Sequence, residues 1–132
     1  MMNFLSKIFG DTILSPPDAV KNSLKERFPS VINVEWNKNG DNFEAIFYKD
    51  SIECIANFDR SGTLIEYKMF LSEDFLPQNI KTTMVGKGEI MNAVMSNKGN
   101  SITYEIIYRD KELIRYVMIF NEIGVVLEEK VL

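Results

Sequence analysis

The sequence of 132 residues predicts an α+β fold, in which two tandem α-β-β-β-β repeats form an antiparallel sheet of about eight strands with the helices packed on one face. Three observations lead to this prediction. A pattern of core and turn residues recurs after about 60 residues. Each copy opens with an amphipathic helix signal, which four strand signals follow. No helical segment of about ten residues separates these strands, so neighbouring strands should run antiparallel.

The internal repeat is carried by strand, turn and helix segments. Residues 43–47 (FEAIF) align with residues 104–108 (YEIIY), and residues 58–66 align with residues 120–128. The helix signals align as well: Pro17, Val20 and Leu24 correspond to Pro77, Ile80 and Met84. We therefore predict one duplicated domain at 16–132, with unit one at 16–71, unit two at 72–132 and a leading segment at 1–15.

Each unit should begin with a helix. In unit one, Ser15 is a candidate cap, and Pro16 and Pro17 suit the first helical turn. An apolar stripe of Ala19, Val20, Leu24 and Phe28 follows and ends before Pro29. In unit two, the helix signal covers 78–85 and ends near Gly86. This second helix is short and contains two threonines, so it should depend more on packing.

Four strands should follow each helix. Those of unit one are expected at 31–38, 42–49, 51–59 and 63–70, and those of unit two at 89–97, 101–109, 112–121 and 124–131. Short segments such as Asn39-Gly40 and Arg60-Ser61-Gly62 join the strands and are typical of tight hairpins.

The composition excludes several function classes. The chain has no histidine and one cysteine, so it lacks both Ser-His-Asp and Cys-His nucleophiles and the commonest ligand of transition metals. Cys54 lies in a strand pattern and is expected to be a small buried residue. Glu44 and Glu105 occupy equivalent positions, which duplication explains without glycosidase chemistry. We therefore expect no enzyme, no cofactor and no metal site.

Nucleic-acid and membrane-spanning functions are not expected either. The net charge is -4, and the 15 basic residues are scattered rather than clustered against phosphates. No apolar run approaches the roughly 18 residues of a membrane span. At the N-terminus, residues 4–9 have helical apolar spacing, and we expect a short helix ending at Gly10. Because no signal peptide is evident, a cytoplasmic location is expected; the alternative is a periplasmic protein with a trimmed leader.

Several segments carry a family resemblance. They are Phe28-Pro29 at the helix end, Val34-Glu35-Trp36, residues 43–47, and residues 56–59 with Gly62. With these residues the sequence resembles the PepSY-like family of β-lactamase-inhibitor-like proteins. The resemblance implies a fold like that of the β-lactamase inhibitor protein, with two αββββ units whose sheet offers a concave surface to a partner. It also implies export, since members of the family usually carry an export signal.

Strand alternation divides the sheet into two faces of different character. One face is almost entirely apolar and should contact the helices. The other mixes charged residues with Ile, Val and Tyr, and is less polar than a face left to water. We predict that this helix-free face binds a partner, with Trp36 and Tyr48 as aromatic anchors. The candidate residues are Trp36, Glu44, Ile46, Tyr48, Ile55, Glu105, Ile107, Arg109, Val117 and Ile119.

The function predicted from the sequence is that of a non-enzymatic, inhibitor-like binding module that presents this face to a protein or peptide. Two alternatives remain open. One is a carrier of a small molecule or lipid, which a closed apolar cavity would favour. The other is a self-associating structural protein, such as a homodimer, in which a second copy covers the face. The N-terminal helix could also cover it.

Overall fold

The computed structural model describes residues 11–13 and 15–132, so the helix expected at residues 4–9 lies outside the described residues. The chain divides into two compact units between Tyr67 and Lys68. Within each unit the helix precedes the main strands, and successive strands pair antiparallel. The predicted α+β class, with its twice-repeated order of one helix and four strands, is confirmed.

Unit one contains one helix and a sheet whose strands follow chain order. Its elements are β1 (Asp11–Ile13), α1 (Asp18–Arg27), β2 (Glu35–Asn39), β3 (Asn42–Lys49) and β4 (Ile52–Phe58), and β5 (Leu64–Phe70) begins in it. β1 pairs with β2, β2 with β3, and β3 with β4. The short strand β1 was not predicted from the sequence.

Unit two has the same order of elements. They are a 3₁₀ helix (Glu73–Phe75), α2 (Gln78–Met84), β6 (Glu89–Lys98), β7 (Ser101–Arg109), β8 (Arg115–Asn121) and β9 (Val126–Val131). β6 pairs with β7, β7 with β8, and β8 with β9. The register shifts once in β6, between Ile90 and Asn92, and once in β8, between Ile119 and Phe120.

Three local predictions were wrong. Ser15 does not cap α1, because its hydroxyl contacts the carbonyl of Pro16 and the helix begins after Pro17. The strand expected from residue 31 begins at Glu35, since Asn33 has a left-handed backbone with φ of 55°. The strand expected from residue 112 begins at Arg115, because residues 110–114 form a turn around the carboxylate of Asp110.

The core of each unit lies between its helix and one face of its sheet. In unit one, the Phe28 ring after α1 lies 4.9 Å from that of Phe47 on β3. In unit two, α2 contributes Ile80 and Met84 to a cluster that includes Ala93, Ile106, Met118 and Phe120 from the sheet. Cys54 is buried, as predicted, and this burial raises the pKa of its thiol.

Equivalent turn glycines meet equivalent helix positions. A Cβ on Gly62, in the turn before β5, would lie 2.5 Å from the carbonyl oxygen of Ala19 on α1. A Cβ on Gly124, in the turn before β9, would lie 2.3 Å from the side chain of Asn79 on α2. Both glycines have φ of 90°. Because other residues rarely adopt this backbone, the two turns explain why glycine recurs at the aligned position.

Candidate functional site

In unit one, the predicted face is largely buried. Ile46 on β3 lies opposite Ile55 on β4, and Glu44 and Tyr48 share that side of β3. Ile46 and Ile55 are only 2% and 5% exposed, whereas Tyr48 is 57% exposed. Of the predicted apolar and aromatic residues on this side, only Tyr48 therefore offers substantial exposed surface.

Trp36 lies on the opposite face from the one predicted. It pairs with Ala45, so its side chain shares the face of Phe43 and Phe47, and its ring lies 6.4 Å from that of Phe58. Only 8% of Trp36 is exposed. The prediction that Trp36 anchors the helix-free face is therefore wrong, because the pairing of β2 with β3 directs its side chain towards the core.

In unit two, the predicted face forms a small apolar strip with charged neighbours. Ile107 on β7 lies opposite Val117 on β8, and Ile119 lies opposite Glu105. Ile107 and Ile119 are half-buried, Val117 is buried and Glu105 is exposed. Arg109 completes the predicted set on β7.

The rim of this strip is held by an ion pair. Arg109 lies opposite Arg115 on β8 and opposite Glu89 on β6. Its guanidinium donates to the carboxylate of Glu89 at 2.6 Å, which keeps the arginine at the margin of the apolar residues. The strip can thus make apolar contacts at its centre and polar contacts at its margin, which is the usual composition of a protein interface.

On the other face of the unit-two sheet, the structure has a cavity that sequence reasoning missed. This cavity is open to solvent, with a volume of about 490 Å³ and charged and aromatic walls. The cavity is lined by Lys87, Tyr108, Asp110, Tyr116, Glu129, Lys130 and Val131. The rings of Tyr108 and Tyr116 are stacked, with centroids 5.0 Å apart and planes 14° apart.

One carboxylate of the cavity is held by a tyrosine and a lysine. The hydroxyl of Tyr108 donates to Glu129, and the Lys87 ammonium lies 3.4 Å from the same carboxylate oxygen. The tyrosine hydrogen bond, together with the charge and hydrogen bond of Lys87, lowers the pKa of Glu129. Burial and the same hydrogen bond raise the pKa of Tyr108. Glu129 is therefore ionised and Tyr108 neutral near pH 7.

The second carboxylate is built into a turn. One oxygen of Asp110 accepts the backbone N–H groups of Glu112 and Ile114 at 2.9 and 3.0 Å, and the other accepts the hydroxyl of Tyr116 at 2.9 Å. Burial alone would raise the pKa of Asp110, but these hydrogen bonds outweigh it and lower the pKa. The bond to Asp110 raises the pKa of Tyr116.

The repeat contained a signal for this cavity. When the sequences of the two units are aligned, Gly88 corresponds to Phe28, Tyr108 to Phe47 and Glu129 to Tyr67. Two of these aromatic residues of unit one thus correspond to residues with polar groups that line the cavity, and the third corresponds to a glycine that does not line it. Positions at which duplicated units differ in polarity are where a function specific to one unit can be sought.

Within residues 11–13 and 15–132, no group of three or more His, Cys, Asp or Glu side chains could hold a metal ion. Over the same residues, no helix is both long and apolar enough to cross a bilayer.

Crystal structures of Bacteroides proteins are similar to this chain over most of its length. A BLIP-like protein of Bacteroides fragilis is 20% identical, with a TM-score of 0.79 and an alignment covering 91% of this chain and 89% of that one. The fold of this chain is BLIP-like. A DUF2874 family protein of Bacteroides uniformis is 15% identical, with a TM-score of 0.77 and coverage of 89% and 90%.

A third structure bears on location. It is a Bacteroides eggerthii protein provisionally named as periplasmic, 16% identical, with a TM-score of 0.76 and coverage of 89% and 90%. At such identities the likeness establishes the fold alone. None of the three names states an enzymatic activity. No protein-family model and no curated protein matches the sequence.

Proposed function

We propose that this protein is a non-enzymatic binding module that contacts a protein or peptide through the helix-free face of unit two. The observation that carries the proposal is the pair of half-buried residues Ile107 and Ile119, which lie beside the buried Val117, outside the core cluster of α2, and which Glu105 and Arg109 border. An apolar centre with a charged margin suits a protein partner better than it suits water.

The comparisons support a binding role in a general way. The name of the Bacteroides fragilis protein associates this fold with inhibitors of β-lactamases, so a β-lactamase is the first defined partner to test. The PepSY-like assignment remains part of the proposal, as does a periplasmic location, for which the name of the Bacteroides eggerthii protein gives some support. The comparisons give no support to the cytoplasmic location expected from the sequence.

In unit one, the proposal keeps a smaller set of residues. Tyr48 is the exposed aromatic of the face and Glu44 its half-buried carboxylate. Ile46 and Ile55 are assigned to packing, because they are nearly inaccessible.

The test is site-specific photo-cross-linking. A photoreactive phenylalanine at Ile107 should give a discrete protein adduct in the cells that produce the chain, and with a purified β-lactamase if that enzyme is the partner. The matched control is the same residue at Ile123, which is 73% exposed in the turn before β9. Unlabelled wild-type protein should compete for the adduct, and an Ile107→Asp variant should not.

Each outcome of this experiment decides the proposal. A competed adduct at 107 and none at 123 supports a partner face. An adduct of twice the chain mass would replace it with self-association, the alternative predicted from the sequence. Equal labelling at 107 and 123, with Ile107→Asp as stable as wild type, would refute the face altogether. No observation favours a lipid carrier, because the cavity beside Tyr116 has charged walls.

A further inference from the structure

We infer that the cavity of unit two is a binding site for a guanidinium group, the side chain of an arginine in a peptide or protein. This site lies on the face of the sheet opposite to the proposed partner face, and the inference is independent of that proposal. It rests on the hydrogen-bonding state, the charge and the shape of the cavity walls.

Around Tyr116 and Asp110 the walls have spare hydrogen-bond acceptors, while the spare donors of the cavity are N–H groups of Lys87 and Lys130. The hydroxyl hydrogens of Tyr108 and Tyr116 already point at Glu129 and Asp110. The lone pairs of both hydroxyl oxygens remain, as do lone pairs on both carboxylates, since each carboxylate can accept about four hydrogen bonds. A ligand that pairs with the acceptors around Tyr116 and Asp110 must therefore donate several hydrogen bonds.

Two lysines and two carboxylates line the cavity, and the way they pair leaves one carboxylate for a cation. Lys87 pairs with Glu129, and the ammonium of Lys130 lies 3.4 Å from Glu128, a residue that does not line the cavity. Among the described residues, Asp110 has hydrogen bonds but no basic side chain within ion-pair distance. Asp110 is therefore the uncompensated charge of the cavity.

The shape of the walls selects guanidinium over ammonium. Tyr116 is half-buried, whereas Tyr108 beneath it is only 5% exposed, so Tyr116 is the ring that a ligand can reach. A guanidinium is planar, stacks on an aromatic face and carries five N–H donors, whereas an ammonium is compact and strongly hydrated. The volume of 490 Å³ also leaves room for the chain that carries the group.

The inference is tested by titrating the full chain with three capped amino acids. Nα-acetyl-arginine methylamide is the ligand, its citrulline analogue is the neutral control of equal shape, and its lysine analogue presents an ammonium. The readout is the NMR shift of the backbone N–H groups of Glu112 and Ile114, which contact Asp110. Arginine should bind saturably with Kd on the order of 1 mM, lysine several-fold more weakly and citrulline at least tenfold more weakly.

Two variants and one matched control complete the test. Asp110→Asn and Tyr116→Leu should each weaken arginine binding at least fivefold, the first by removing charge and the second by removing the ring. Asp59→Asn should leave binding unchanged, because Asp59 builds the same kind of turn with Ser61 and Thr63 in unit one. Either variant suffices if the other fails to fold.

The inference would be overturned if citrulline bound as well as arginine, or if a folded Asp110→Asn or Tyr116→Leu variant bound arginine like wild type. A lack of saturation by arginine would also overturn it. Ile107→Asp should bind arginine normally, so that failure of the partner face and failure of this site remain distinguishable.

Discussion

Unit one has three packed aromatic rings at positions where unit two has a glycine and two residues that line the cavity. In unit one, the ring of Phe28 lies 4.9 Å from that of Phe47 and 5.8 Å from that of Tyr67. The Lys49 ammonium lies 5.8 Å from the same ring. Phe28 therefore fills the space beyond the end of α1.

In unit two, the aligned residues are Gly88, Tyr108 and Glu129. The glycine contributes no side chain, and the other two join through a hydrogen bond rather than through ring packing. The comparison shows that the αββββ fold can have either a packed aromatic ring or a glycine at the position that follows its helix. The core strands need not change, because Ala45 and Ile106, which align in the two units, are both fully buried.

The largest expected effect is a loss of stability on substitution of Phe28. Phe28→Ala should lower the free energy of unfolding by about 3–5 kcal/mol, because it removes a buried ring and leaves a void against Phe47 and Tyr67. Urea denaturation measures the change. Phe75→Ala is the matched control, since Phe75 is 63% exposed, and it should cost less than about 1 kcal/mol. Equal losses in the two variants would contradict the role assigned to Phe28.

The next largest expected effect is a loss of stability on substitution of Gly88, the residue that aligns with Phe28. Gly88 has φ of 143°, and a Cβ there would lie 2.1 Å from the carbonyl oxygen of Arg109. Gly88→Ala should therefore cost about 3 kcal/mol or more, from backbone strain and the clash together. Gly86→Ala is the matched control: Gly86 has φ of 80° with open space around it, so only the backbone cost of about 1–2 kcal/mol applies.

A result in which Gly88→Ala were no worse than Gly86→Ala would mean that the chain before β6 shifts easily. Glycine would then not be required at this position, and the contrast between Gly88 and Phe28 would have no structural basis.

The sequence was sufficient to predict most of the fold. Alternation alone assigned the faces of β3, β4, β7 and β8, because each of these strands has one side that is almost entirely apolar. The prediction that Trp36 anchors the helix-free face was wrong, because its pairing with Ala45 determines its face. Strand starts were missed where single residues, Asn33 and Leu113, adopt a left-handed backbone.

The cavity could not be predicted by scanning for motifs. Its charged and tyrosine side chains come from a loop, two strands, a turn and the last strand, and only folding brings them together. The partial signal was the difference between aligned residues, namely Phe47 against Tyr108 and Tyr67 against Glu129. Ile107 is partly exposed and Ile46 is buried, although the two residues align in the repeat. This difference depends on neighbours that alternation does not specify.

The smallest expected effect is a pH dependence carried by unit two alone. The pKa of Glu129 is lowered in the folded protein, so its stabilisation is fully present above its unfolded pKa and is lost as the pH falls through the folded pKa. Tyr108→Phe removes the main cause of that shift. The variant should be less stable than wild type by about 0.5–1 kcal/mol at pH 7, a modest value because water screens this half-exposed carboxylate.

The difference in the free energy of unfolding between wild type and Tyr108→Phe should become smaller by pH 3. At that pH Glu129 gains a proton in the unfolded chain and increasingly in the folded one. Urea unfolding at pH 7 and pH 3 measures this difference. Phe28→Ala is the control from unit one: the rings of Phe28 and Phe47 do not titrate, so its deficit relative to wild type should be the same at both pH values. If the difference in the free energy of unfolding between wild type and Tyr108→Phe stayed constant or grew in acid, the hydrogen bond to Glu129 would not give unit two a pH-dependent stability that unit one lacks.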